Sequence, residues 1–385
     1  MIVLFVIGFL LFISLVLIHE WGHFIAARKS GVVVEEFGLG FPPKARSLGK
    51  KNGTEYTINW LPLGGFVRLK GEHDADTSKG SFGAARLRAK VTIMLAGVIM
   101  NALTAYVLFM LLAVLGLPNM SKVLGFEQFT VASDTKISRD YDNKGVVIVS
   151  EVVDDSPAAL AGIEQDSRIV SIAGVAIDSP DRLSMQTRAN AGKQVTVVVS
   201  KNDAVDTKLI ILRSESPYLG VASYSDETGF QLRRSTWSAP VVAGGVMKDF
   251  TVATFRGLGS ALKGLGSMII GGVTGNNEAR KAGQTAASSQ VAGPVGILQT
   301  LYEGARLGPL FVLFIIAIIS LTLAIMNVLP IPALDGGRLY TLLLFRAIKK
   351  KLTQRTEERI QIVGMGIILL LVALTTLVDI ARIRS

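Results

Sequence analysis

The sequence contains no cysteine and only three histidines among its 385 residues. The absence of cysteine excludes disulfide bonds and thiolate metal sites, so any soluble part must be held together by packing alone. No basic residue precedes the apolar run at 2–18, and this run is too long for a secretory signal peptide. The run is therefore expected to be a membrane span.

Half of the residues are hydrophobic, and the mean hydropathy is +0.46. A chain of this length is then too apolar for an ordinary soluble protein, which favours a membrane protein. Apolar runs predict four transmembrane helices, at 2–18 with its continuation, 91–115, 310–329 and 360–380.

The net charge is +10, and much of the excess base flanks the apolar runs. Residues 28–90 hold twelve Lys or Arg against six acids, and residues 338–359 hold seven Lys or Arg. Positive loops stay in the cytoplasm, so both termini are expected to face outward, with 118–306 outside. The charge is thus interpreted as membrane orientation, and no nucleic-acid partner is expected.

From residue 145 the pattern changes to short strands separated by turn signals, with short helices at 157–162 and 180–191. The phrase SPAALAGIEQDSRIVSIAG resembles a PDZ domain, although Gln165 and Ala173 replace the usual Gly and Asn. The resemblance implies a groove that binds extended peptide by strand addition. The alternative is a small β domain that serves only as a spacer or gate. The expected fold is a polytopic α-helical membrane protein with an inserted extracytoplasmic α+β PDZ-like domain.

Residues 246–269 predict an amphipathic helix at the membrane interface, although several glycines disfavour a continuous helix. Four charges in it argue against a fifth span. The small-residue stretch 275–290 is typical of a flexible linker. The expected division is transmembrane helices with a cytoplasmic hairpin loop at 1–116, the PDZ-like domain at 124–225, the amphipathic region at 236–275, and the linker with the last two spans at 276–385.

His19, Glu20 and His23 form an H-E-x-x-H motif within the first span. On a helix the two histidines project from one face and can share one Zn²⁺, with Glu20 placed to take a proton from water. His19 lies about 26 Å along the helix from residue 2, near the cytoplasmic boundary. The alternative is a polar end of the span that snorkels to the interface. The remaining histidine, His73, is expected to be a solvated loop residue.

A catalytic zinc needs a third protein ligand, and Asp335 is the candidate. It follows the third span in NVLPIPALDGGR, where prolines end the helix and glycines allow tight backbone geometry. The charge-derived topology brings this aspartate to the same side of the membrane as His23. The alternative is an aspartate that caps the next helix.

These motifs and the PDZ-like segment together resemble the site-2 protease family of intramembrane metalloproteases, in its bacterial regulator-of-sigma branch. The resemblance implies one zinc per chain, held by His19, His23 and Asp335, with Glu20 as catalytic base. It implies substrate contacts from Asn327, from Asn101 in a Gly97-Val98-Ile99-Met100-Asn101 stretch that lacks the family's proline, and from a membrane-dipping hairpin at 63–71 that includes Gly64, Gly65 and Phe66.

The expected function is hydrolysis of a peptide bond within a transmembrane segment of single-span proteins, such as anti-sigma factors and remnant signal peptides. Membrane lipid and a peptide in the PDZ groove are further expected partners. The expected location is the bacterial inner membrane, with the active site near the cytoplasmic side. The alternatives are a non-proteolytic PDZ-containing scaffold or receptor, and a metal transporter. A transporter would spread its ligands along a path across the membrane, whereas here they lie at one depth.

Overall fold

The structure, a computed structural model, describes residues 2–121, 126–141, 146–201, 204–226, 230–274, 276, 278 and 293–384. The chain forms two compact units. We call Met1–Leu117, Gly125–Lys136 and Arg234–Ser385 the helical unit, and Pro118–Leu124 with Ile137–Arg233 the β unit. Apart from 276 and 278, the expected linker at 275–290 lies outside the described residues.

Long helices build most of the helical unit. They are α1 (Ile2–Lys29), α2 (Leu87–Leu115), α5 (Ala239–Thr274), α6 (Pro294–Leu307), α7 (Pro309–Val328), α8 (Asp335–Ala347) and α9 (Gln354–Arg384). Helix α2 packs against both α1 and α7. The extended backbone of Leu329, just before a proline, ends α7. These packed helices position the site described below.

Among the described residues, α1, α2 and α7 are long and apolar enough to cross a membrane. They contain the first three predicted spans, and they support a membrane protein. The fourth predicted span, 360–380, lies within α9 but is not among these three helices.

A twisted hairpin of β1 (Val34–Lys51) and β2 (Thr54–Leu69) connects α1 to α2. The expected hairpin at 63–71 is wrong in extent, since its first seven residues form the end of β2 and the hairpin starts at Val34. The first half of β1 lies between the two halves of β2, because Gly38 pairs with Phe66 and also with Thr57. Residues 64–69 are thereby an edge of this sheet.

Helix α5 is continuous, in contrast to the interruption that its glycines predicted. Tertiary packing outweighs the low helix propensity of glycine here. The Phe250 side chain is 6% exposed, and its ring lies 6.0 Å from that of Phe109 and 5.8 Å from that of Phe314. The apolar face of α5 therefore covers α2 and α7.

The β unit is built mainly on a sheet of order β10–β5–β6–β8–β9, with β7 paired to β6. Its elements are β5 (Val146–Val152), α3 (Pro157–Leu160), β6 (Arg168–Ile172), β7 (Val175–Ala176), α4 (Pro180–Ala189), β8 (Gln194–Lys201), β9 (Ala204–Ile211) and β10 (Val221–Asp226). Both short helices begin with a serine cap followed by proline. Alternate valines of β8 face the core. A separate sheet has the order β3 (Leu117–Asn119), β11 (Phe230–Arg234), β4 (Lys136–Tyr141).

Candidate metal centre

The histidine pair lies on one face of α1, as the i, i+4 spacing predicts. The Nε2 atoms of His19 and His23 are 3.2 Å apart. Their side chains are 11% and 12% exposed. Two buried imidazoles with converging nitrogens are suited to share one cation.

Asp335 reaches the pair from the other side. Its Oδ2 atom lies 3.1 Å from Nε2 of His19 and 3.2 Å from Nε2 of His23. The residue that caps α8 is Leu334, with no side-chain hydrogen bond, and Asp335 is the first residue within the helix. The aspartate therefore does not serve as the N-cap, and its carboxylate points to the histidines.

Close backbone packing fixes the turn that carries Asp335. A Cβ atom on Gly336 would collide with the carbonyl oxygens of Val328 and Leu329. The turn is also tied to α9, because the Ala333 N–H donates to Oε1 of Gln361 over 2.9 Å. The two glycines of the motif thus let α8 start against the end of α7.

The three ligand atoms fit a zinc ion. Atoms 2.0–2.1 Å from a tetrahedral ion lie about 3.3 Å from one another. The three separations here are 3.1, 3.2 and 3.2 Å. Within the described part of the chain, His19, His23 and Asp335 are the one group of His, Asp or Glu side chains close enough to hold a metal ion.

Helix α2 forms the wall behind the histidines. The carbonyl oxygen of Ile93 lies 2.7 Å from Nδ1 of His23, and the Asn101 side-chain amide lies 3.3 Å from Nδ1 of His19. A Cβ atom on Gly97 would lie 2.5 Å from His19 Cε1 and 2.5 Å from His23 Nε2. Sequence reasoning missed Ile93 and Gly97 as site residues, although 93, 97 and 101 share one face of a helix.

Glu20 lies next to the edge of the hairpin. A Cβ atom on Gly65 would lie 3.3 Å from Cγ of Glu20, so the bare backbone of β2 passes beside this carboxylate. Gly65 pairs with Leu39, and Gly64 has a φ of 105° that favours glycine. The chain thus brings a strand edge to the side chain expected to act as base.

The other residues expected to contact substrate are placed differently. Asn327 is half-buried in the last turn of α7. Phe66 is half-buried and pairs with Gly38 in the sheet. Asn101 is only 1% exposed, so it lies behind the histidine pair rather than at an accessible surface.

His73 is not the solvated loop residue that its position predicted. Its side chain is 33% exposed, with Nδ1 3.8 Å from Oε2 of Glu357 and Nε2 3.5 Å from Oε1 of Glu358. The two carboxylates come from α9, nearly 300 residues along the chain, and no local pattern around His73 indicates them.

Comparison with known proteins gives a consistent picture. The model of the family described as "Peptidase family M50" matches residues 7–371. The chain is 32% identical over 382 residues to "Putative zinc metalloprotease CPE1693" of Clostridium perfringens, covering 97% of this chain and 98% of that protein. It is 24% identical over 462 residues to "Zinc metalloprotease RasP" of Shouchella clausii, covering 97% and 98%. It is 25% identical over 454 residues to "Protease RseP" of Yersinia pestis, covering 96% of each.

The family match covers far more than half of the chain, and the relatives align over nearly their whole length. The resemblance that the motifs predicted is therefore confirmed. Together with the apolar helices, these similarities show that the chain is a membrane zinc metalloprotease and belongs to peptidase family M50, the site-2 protease family.

Proposed function

We propose that this protein hydrolyses a peptide bond within a transmembrane segment of single-span membrane proteins, such as anti-sigma factors and remnant signal peptides. The observation that carries the proposal is the convergence of three ligand atoms, 3.1–3.2 Å apart, from α1 and from the turn after α7. Both helices are apolar enough to cross a membrane. Chemistry at this place would meet a substrate that is itself in the bilayer.

His19, His23 and Asp335 hold one zinc ion in this proposal. When bound, zinc supplies Lewis acidity that polarises the scissile carbonyl and makes water a stronger acid. Glu20 accepts a proton from the attacking water and then donates it to the leaving amine. Its position one residue after His19 leaves it beside, rather than within, the ligand set.

Substrate must unwind before it is cut, because the carbonyls of a helix are already hydrogen-bonded. Unpaired backbone groups in lipid cost several kcal/mol each. The edge segment 64–69 offers backbone partners beside Glu20, and strand addition there would replace the lost helical bonds. Asn327, half-buried on α7, supplies a further polar contact to the substrate backbone.

The proposed topology has four spans, with 360–380 as the fourth, in the bacterial inner membrane. The basic loops then place the active site near the cytoplasmic side and the PDZ-like domain outside. In the β unit, a cavity of about 180 Å³ lies between α4 and the start of β10 and includes Leu183, Leu219 and Gly220. A peptide end in this groove, or simple exclusion of bulky substrates by the domain, would restrict cleavage to proteins already trimmed outside.

The test is cleavage of a model transmembrane substrate in detergent by the full chain and by Glu20→Gln. The variant is expected to keep its zinc and to lose at least about 100-fold in rate, because it removes the proton acceptor. Glu35→Gln is the matched control, since the Glu35 side chain is 46% exposed and pairs with Arg68 away from the ligands. Cleavage by Glu20→Gln at the wild-type rate would refute the proposed roles.

A further inference from the structure

One face of α2 carries three residues spaced four apart, Ile93, Gly97 and Asn101, which lie against the histidine pair of α1. Four-residue spacing places side chains above one another on a helix. Gly97 leaves room for both rings, since a Cβ atom there would lie 2.5 Å from each. The neighbours one turn before and one turn after it contact Nδ1 of His23 and Nδ1 of His19.

The contact of His23 defines its tautomer. A carbonyl oxygen can only accept, so Nδ1 of His23 must donate its proton to the oxygen of Ile93, 2.7 Å away. In a neutral ring the lone pair is then on Nε2. Nε2 is the atom that lies 3.2 Å from Oδ2 of Asp335. The α2 backbone thus prepares His23 to bind a metal ion.

His19 needs the same arrangement if its Nε2 atom binds the ion. Its Nδ1 atom must then carry the proton and requires an acceptor. The group within reach is the Asn101 amide, whose nitrogen lies 3.3 Å from Nδ1 while its buried oxygen has no partner in the described structure. A half-turn of the amide keeps its shape and exchanges the two ends. Because only the oxygen can accept from Nδ1–H, metal binding selects that orientation.

We propose that Asn101 is a positioning residue that accepts a hydrogen bond from Nδ1 of His19 through its amide oxygen and so presents Nε2 to the metal. This role rests on the proposed zinc ligands and replaces the direct substrate contact expected for Asn101. Its 1% exposure favours this role. The Ser320 hydroxyl, itself buried, donates to the Asn101 carbonyl over 2.8 Å and ties α2 to α7 at this level.

The test compares zinc affinity of the detergent-purified full chain and its variants by competition with a chelator. Asn101→Leu keeps the approximate volume but removes the acceptor, and we expect zinc affinity to fall about 10- to 100-fold. Asn101→Asp offers an acceptor in either orientation and should restore most of that loss. Thr104→Val is the control, since the Thr104 hydroxyl bonds only to the Met100 carbonyl on the same helix.

The outcomes separate the two hypotheses. Wild-type affinity in Asn101→Leu, with a higher KM for cleavage, would overturn the positioning role and favour a substrate contact. A wild-type protein that binds no zinc would instead refute the proposed function. Should Asn101→Leu not fold, ¹⁵N spectra of the zinc-loaded wild type decide. We expect a protonated Nδ1 on His19, and coordination through Nδ1 would overturn the inference.

Discussion

Replacement of Gly97 by alanine tests the close approach of α2 to the histidine pair. The added methyl carbon would lie 2.5 Å from Cε1 of His19 and from Nε2 of His23. Nonbonded heavy atoms prefer about 3.5–4.0 Å, so the rings must retreat by about 1 Å. The helix backbone has little room to move instead, because a Cβ atom on Gly22 would lie 2.6 Å from the Ala96 carbonyl oxygen.

A displacement of this size is large for a metal site. Zinc–ligand distances tolerate only about 0.2 Å, so a shift of two ligands by about 1 Å exceeds the tolerance severalfold. We expect Gly97→Ala to weaken zinc binding by about 100-fold or more, beyond the usual effect of a residue that only supports a ligand. Overpacking should also cost about 1–3 kcal/mol of stability.

The assay is zinc content and chelator competition on the full chain in detergent, followed by cleavage of a transmembrane substrate. Gly244→Ala is the matched control, because it is the same change in a helix where an added Cβ atom meets nothing within 4 Å. It should keep zinc and gain up to about 1 kcal/mol from helix propensity. Wild-type zinc affinity in Gly97→Ala would refute the packing argument.

Three further predictions concern other parts of the chain. Hydrogen bonds from Ser238 and Thr236 hold the pKa of Asp134 well below its usual range. The stabilisation is therefore complete above the unfolded value of about 3.9 and is lost as pH falls through the lowered folded pKa, so the Tm difference between wild type and Asp134→Asn should shrink in acid. Arg338→Met leaves the Glu357 carboxylate, 6% exposed, without its guanidinium partner and should cost about 3 kcal/mol, partly restored when Glu357→Met is added. In the β unit, Ile169→Ala, at a fully buried position, should cost about 2–5 kcal/mol in denaturant unfolding, whereas Leu209→Ala, 68% exposed, should change stability by less than about 0.5 kcal/mol.

Local patterns predicted the elements whose causes are local. The apolar runs gave α1, α2 and α7, since a long run without breaking residues buries its own backbone polar groups as a helix. The i, i+4 histidines were placed on one face by helix geometry alone. The serine–proline pairs at 156–157 and 179–180 begin short helices because such caps act within one turn.

The extent of the hairpin and the continuity of α5 were not predicted. The hairpin at 34–69 pairs each half of β2 with β1, and strand register depends on partners rather than on the paired residues alone. Helix α5 stays continuous through its glycines because Phe250 packs between Phe109 and Phe314. In both cases long-range contacts outweigh intrinsic preference.

The sequence by itself determined the apolar helices, the paired imidazoles and the turn that carries Asp335, because spacing and backbone restriction act over a few residues. Only the tertiary structure decided that Asn101 lies behind His19, that Gly97 faces both rings, and that Gly65 passes beside Glu20. Those relations depend on the crossing of α1 with α2 and on the fold of the hairpin. Contacts between segments up to 80 residues apart leave no periodic trace in either segment.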